Sequence, residues 1–200
     1  MDAQLAEFLE ELYRCGREHD EEQPDRLQRW RNVEPETARV LAVLIRALAP
    51  QRLLELGTSN GYSTIWLADA ARSVGGSLVS VEIDPNRVER ARENLNQAGL
   101  GDVVELRVED AATTLSASAD GAWEFIFLDA ERPAYPDYWP DLVRVLPPGG
   151  LLAVDNVVSH ASELVEFRDL VGRDERVMEA LCPTGAGALL ITRELASFPS

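Results

Sequence analysis

The sequence predicts an α/β fold, a mostly parallel seven-stranded sheet covered by helices on both faces and finished by a C-terminal antiparallel hairpin. Three observations predict it. Short runs rich in Leu, Val, Ile and Phe alternate with segments of helical period from Arg52 to Val171. Such alternation favours parallel strands joined by crossover helices. A Gly-x-x-x-Gly turn, Gly57 to Gly61, directly follows the first strand-like run. Finally, two β-like runs flank Pro183-Thr184-Gly185-Ala186-Gly187, which reads as the turn of a hairpin closing the sheet.

Taken in order, residues 2–18 place Leu5, Phe8, Leu9 and Leu12 at helical spacing and predict an amphipathic helix. His19 to Arg29 is polar and reads as a loop or short helix. A second helix opens at Pro35, a favoured first-turn residue, and runs to about Ala49. The alternation then gives strand Arg52–Leu56, helix Tyr62–Ser73, strand Ser77–Ile83, and helix Pro85–Gln97 ended by Gly99. Strands Val103–Val108, Trp123–Leu128 and Leu151–Val154 follow, with helical segments between them and helix Ser162–Val171 after the last. Arg176–Leu181 and Ala188–Thr192 form the hairpin. The chain reads as one domain over residues 1–200. Residues 1–34 form a helical segment whose apolar face has no evident place in the sheet's core, so a substrate lid or a homodimer contact is expected of it.

With 46% hydrophobic and 27% charged residues the chain is globular in composition. No apolar run approaches the roughly 18–20 residues that span a bilayer, so no membrane partner is expected. Met1-Asp2-Ala3-Gln4 lacks the basic and apolar regions of a signal peptide. Cys15 and Cys182 are too few for a disulfide framework or a zinc site. A cytoplasmic location is the expectation. The formal charge of −16, with no Lys in the chain, argues against nucleic acid as a partner, because phosphate binding needs a basic surface.

In an open α/β sheet the ligand sits beyond the carboxyl ends of the strands. The first strand ends in Glu55-Leu56-Gly57-Thr58-Ser59-Asn60-Gly61-Tyr62-Ser63. Gly57 and Gly61 let the backbone turn tightly against a ligand. The spacing differs from the Gly-x-Gly-x-x-Gly of dinucleotide enzymes, and Glu55 just before the turn suits a ligand carrying positive charge. Glu82, at the end of the second strand, lies where a carboxylate would accept two hydrogen bonds from a ribose diol. Strand four ends in Asp129 and strand five in Asp155-Asn156. If those strands are neighbours, three oxygen ligands meet at one rim, a set suited to a hard divalent cation such as Mg²⁺. The plainer alternative is that Asp and Asn merely end strands as turn formers.

Leu53–Ala68, "LLELGTSNGYSTIWLA", resembles the first motif of class I S-adenosylmethionine (SAM)-dependent methyltransferases, which share a Rossmann-like fold. The likeness is greater to the metal-dependent O-methyltransferases, the group of catechol and caffeoyl-CoA O-methyltransferases, and runs from about Asn32 to Arg193. The resemblance implies SAM contacts at Asn32, Val33, Gly57, Ser63 and Glu82, with Ser59 and Gly61 in the same turn. It places the adenine beside Asp110 and Ala111, where Glu109 stands in place of the family's usual glycine. It makes Asp129, Asp155 and Asn156 the metal ligands and puts Asp129 beside SAM as well. The Asn/Asp-Pro-Pro-aromatic motif of adenine and amide N-methyltransferases is absent after strand four.

One departure concerns the general base. The family's Lys three residues after the strand-four Asp is Arg132 here, and a guanidinium stays protonated. Arg132 would stabilise a developing oxyanion or clamp an acidic substrate. His160, four residues past Asn156, has a suitable unperturbed pKa, so Asp129, Arg132 and His160 are the candidate catalytic residues. Tyr135, Tyr138 and Trp139 either stack on an aromatic acceptor or pack their helix on the sheet. Trp66 is expected in the core, and Trp30 is a candidate lid. The implied activity is O-methylation of a small phenolic or catechol-like acceptor. A SAM-binding protein without catalysis and a nicotinamide-dependent oxidoreductase are the alternatives. The Pro183–Gly187 loop is expected to line the acceptor pocket.

Overall fold

The computed structural model describes residues 1–194; residues 195–200 of the expected domain lie outside the described residues. Helix α1 (Ala3–Glu22) starts where the Asp2 carboxylate accepts from the Leu5 amide at 2.8 Å, and it runs on past residue 18 to Glu22. Helix α2 (Pro35–Leu48) has Pro35 in its first turn and stops at Ala49, whose φ of 51° is left-handed. Strand β1 (Arg52–Leu56) leads to α3 (Tyr62–Ser73), β2 (Ser77–Glu82), α4 (Pro85–Gln97), β3 (Val104–Val108) and α5 (Ala111–Ala117). Then come β4 (Phe125–Leu128), α6 (Tyr135–Val145), β5 (Leu151–Val154), α7 (Val165–Arg173), β6 (Val177–Cys182) and β7 (Ala188–Arg193).

The seven strands lie in the order β3-β2-β1-β4-β5-β7-β6. The first five pair in parallel, and β7 runs antiparallel to both β5 and β6, as the hairpin required. β4 and β5 are entirely buried, as continuous apolar strands covered on both faces should be. One core lies between the sheet and α1, α2 and α3; the other lies under α6 and α7. Strand order reverses between β1 and β4, which opens a crevice at their carboxyl ends and fixes where a ligand can enter.

Two expectations change. The apolar face of α1 is not left over: Leu5, Leu9 and Leu12 are buried in the core that α2 and α3 share. Periodicity showed the face but not its partner, because the surface that receives it forms only once α2 and α3 pack. Ile83 lies outside β2, because the Glu82 carboxylate takes the Ile83 and Asp84 amides at 3.0 and 3.1 Å and so ends the ladder. Tyr135 and Trp139 are core residues, both packed edge-on to Phe167, and Trp66 is buried as expected. Among the described residues, no helix is long and apolar enough to cross a membrane.

Candidate active site

A cleft of about 680 Å³ opens at the carboxyl ends of β1, β2, β4 and β5. Its floor begins with the turn after β1. Gly57 has φ +106°, and a Cβ there would sit 2.3 Å from the Asp129 carbonyl oxygen, so only glycine lets the β1 and β4 loops approach this closely. Ser59 is left-handed at φ 49° and donates its amide to Glu82 at 3.0 Å. Glu82, 8% exposed, thus binds three backbone amides, one from the β1 turn and two from its own loop. This locks two strand ends into one rigid wall, with Glu82 in the cleft lining.

The opposite wall comes from the segment between α1 and α2. Asp20 accepts the Trp30 and Arg31 amides at 2.7 and 2.8 Å, and Ser59 Oγ donates to the Trp30 carbonyl at 2.7 Å. Arg87 of α4 donates to the Leu27 and Arg29 carbonyls at 2.5 and 3.0 Å. The Trp30 ring stacks on His19, 3.9 Å between centroids. These bonds hold residues 26–33 as a strap along the cleft. Asn32 lies in it with both side-chain polar atoms buried and unpartnered. Gly16 of α1 makes room for that amide: a Cβ there would stand 2.3 Å from Asn32 Nδ2. Gly16→Ala should therefore weaken SAM binding several-fold although Ala favours helix by roughly 1 kcal/mol over Gly. Calorimetric titration beside a melting curve checks this; equal affinity in both proteins would refute it.

Of the residues assigned to the cofactor from the sequence, Asn32, Val33, Gly57, Ser59, Ser63, Glu82, Asp110, Ala111 and Asp129 line this cleft. Glu55 and Gly61 do not. Glu55 is completely buried, and its carboxylate accepts from Ser63, Thr64 and Ser80, each at 2.6 Å. It stands behind the cleft wall and ties β1 to β2 and α3, because the β1 residue that must face ligand is the one at the turn, two positions on. Gly61 serves packing: a Cβ would meet the Ala91 backbone of α4 at 3.1 Å. The Pro183–Gly187 loop is also absent from the lining, since Gly187 is pressed on Val158 and Thr184 bonds Thr37 at 2.8 Å.

Burial raises the Glu55 pKa to about 7, against the three hydroxyls that favour its charged form. With an unfolded value of 4.5, the native state holds the extra proton, so this group's stabilisation is full below about pH 4.5 and is lost as pH rises through about 7. Between pH 4.5 and 8 the loss is up to about 3 kcal/mol. Glu55→Gln should flatten that slope in urea unfolding at several pH values. An unchanged slope would mean that Glu55 ionises normally.

At the far end of the cleft β4 and β5 bring Asp129, Asp155 and Asn156 together. Asn156, left-handed at φ 65°, donates its amide nitrogen to Asp129 at 3.0 Å and to Asp155 at 3.2 Å. The nitrogen, rather than the expected oxygen, thus lies between the acids, because two neighbouring carboxylates attract a donor. Loss of hydration, with the charge of Asp155 beside it, raises the Asp129 pKa well above its usual value. Burial pushes Asp155 to about 6. Asp155 Oδ1 is buried without a partner. An orphaned carboxylate oxygen beside a second strained acid and an invertible amide is a donor set that fits a divalent cation. Asp155 itself sits just behind the lining. Among the described residues, no group of three His, Cys, Asp or Glu side chains is arranged to hold a metal, so such a site would depend on the Asn156 amide.

Arg132 is 3% exposed and donates Nε to Glu163 at 2.9 Å, while its Nη2 is buried without a partner. His160 lines the same end, its pKa lowered by burial and the Arg132 charge. Ser159 Oγ lies 2.9 Å from its Nδ1. Tyr138 reaches the cleft although its neighbours on α6 are core. Sequence reasoning missed Asp20, Arg87 and the acids Glu131 and Glu163, whose parts depend on contacts between distant elements that no local pattern announces.

The chain is 35% identical over 138 residues to a catechol O-methyltransferase of Niastella koreensis, a match covering 68% of this chain but 62% of that relative's length. It also superposes on an O-methyltransferase from Bacillus cereus in complex with SAH at a TM-score of 0.78 and 26% identity, covering 94% of this chain and 91% of that one. An O-methyltransferase from Streptomyces achromogenes involved in tomaymycin synthesis, in complex with SAM, matches at a TM-score of 0.78 and 27% identity over 97% and 91% of the two chains. A family profile described as O-methyltransferase matches residues 2–194, and the chain belongs to that O-methyltransferase family.

Proposed function

We propose that the chain catalyses transfer of the SAM methyl group to a hydroxyl of a small phenolic, catechol-like acceptor, assisted by a divalent cation such as Mg²⁺. The observation that carries this is the single cleft that Glu82 and Asn32 share with Asp129 and Asn156. A carboxylate for a ribose diol and Asp129 line the same cleft, with Asp155 just behind. When bound, SAM supplies an electrophilic sulfonium methyl to an acceptor oxygen. When bound at Asp129, Asp155 and Asn156, the cation would lower the pKa of the acceptor hydroxyl and orient it.

The chain's own residues do the remainder. Glu82, fixed by three amides, receives the ribose hydroxyls, and the unpartnered amide of Asn32 binds the polar part of SAM. The strap of residues 26–33 acts as a lid that excludes water from the reacting pair. This lid, rather than an apolar face of α1, is the contribution of the N-terminal segment. Holding donor and acceptor in attack geometry contributes up to roughly 7–11 kcal/mol. His160, its pKa lowered by burial and the Arg132 charge, is available to take the phenolic proton, which Arg132 cannot accept. Titration with SAM, followed by assays of catechol with Mg²⁺ and with chelator, tests the proposal. Methyl transfer that chelator abolishes is expected. SAM binding without transfer would support the non-catalytic alternative, and NADH binding without SAM binding would overturn the proposal.

A further inference from the structure

The acceptor end of the cleft carries an uncommon charge for this protein. On a chain of net charge −16, Arg26, Arg31 and Arg132 converge there, drawn from the strap and the β4 loop. They interlock with two acids. Arg31 bonds Glu131 at 2.6 Å, Arg26 lies 3.6 Å from Glu131 and 3.7 Å from Glu163, and Arg132 bonds Glu163 at 2.9 Å. The arginines hold both glutamates below the usual carboxylate range, so both are ionised. Three guanidiniums thus meet two carboxylates in one clasp. One guanidinium edge is without an acceptor: Arg132, 3% exposed, has its Nη2 buried with no hydrogen-bond partner. A buried guanidinium edge without an acceptor is costly and is relieved by an anion, best by a carboxylate that takes the planar fork. Of the other acids nearby, Asp20 is engaged by the Trp30 and Arg31 amides, and Asp129 and Asp155 are the pair that a divalent cation would neutralise under the function proposed above, on which this inference rests.

We propose that the methyl acceptor is a small aromatic acid, a vicinal diphenol bearing one carboxylate that Arg132 receives, with Arg26 and Arg31 closing the lip around it. A carboxylate suits a planar guanidinium edge, which presents parallel N–H donors. Tyr138, on the same cleft, offers a ring face to the aromatic body.

The probes are protocatechuate and its neutral amide, with the full-length protein and Mg²⁺. Two readouts are taken: kcat/KM for methyl transfer, and calorimetric binding in the presence of SAH. Wild type should prefer the acid by about tenfold or more in both, the worth of one charge-assisted bond. Arg132→Met should bring the acid-to-amide ratio to within about twofold of unity, and Arg132→Lys, which keeps charge without the fork, should give an intermediate ratio. If Arg132→Met does not fold, the wild-type and Arg132→Lys ratios decide. Equal handling of acid and amide by wild type overturns the proposal. So does a preference that survives in Arg132→Met, which would assign Arg132 to the phenolic oxyanion alone. If SAM binds but neither diphenol is methylated, the catalytic reading fails. The binding ratio then still decides this one: a tenfold preference for the acid supports it, and no preference overturns it.

Discussion

Asp129→Asn is expected to lower kcat/KM for O-methylation at least about 100-fold while making the protein, stripped of divalent cations, more stable. The two effects share one cause. Asp129 and Asp155 are held close, out of water, with only the Asn156 amide between them, so the ionised pair is costly in the absence of a cation. Asparagine removes one charge, keeps an oxygen to accept from Asn156, and relieves Asp155. A gain of about 1 kcal/mol, or roughly 2–4 °C in Tm, should be seen with chelator at pH 8. The gain should shrink in acid. Both carboxyls have raised pKa values; the stabilisation from Asp155 is present below about pH 4 and lost as pH rises through about 6, and that from Asp129 is likewise lost as pH rises. Added Mg²⁺ should raise the Tm of wild type but not of Asp129→Asn. A variant that is inactive and also less stable in chelator would show that the acid pair is a structural device, and the metal proposal would fall with it.

Glu82→Gln should weaken SAM binding by about 100-fold and lower the melting temperature of the free protein by a few degrees. The carboxylate now accepts from Ser59 on one oxygen and from Ile83 and Asp84 on the other. Glutamine keeps the second oxygen's bonds but turns an amide nitrogen toward the Ser59 N–H, donor against donor. The β1 turn loses its tether, and the ribose diol loses charge-assisted acceptors. Two such bonds at about 1.5 kcal/mol each amount to about 100-fold. Calorimetric titration with SAM or SAH measures this directly, and a change below about threefold would place the ribose elsewhere.

Much of this was legible in the chain. The alternation from Arg52 onward determined the parallel sheet, because strands covered on both faces must be continuously apolar and their crossovers amphipathic. The positions of Gly57, Glu82, Asp129, Asp155 and Asn156 at strand ends determined the rim on which any ligand would sit, because open α/β sheets bind there. Only the tertiary structure decided how those ends face one another. It moved Glu55 behind the wall, since its strand position points into the sheet's packing, and it took the Pro183–Gly187 loop away from the cleft. It gave α1 a buried face and made residues 26–33 a strap through Asp20, Ser59 and Arg87, contacts between elements far apart in sequence. It also assembled the five-member ion-pair clasp around Arg132. Local periodicity records which face of an element is apolar, whereas the meeting of charges from three separate loops depends on the packing that folds them together.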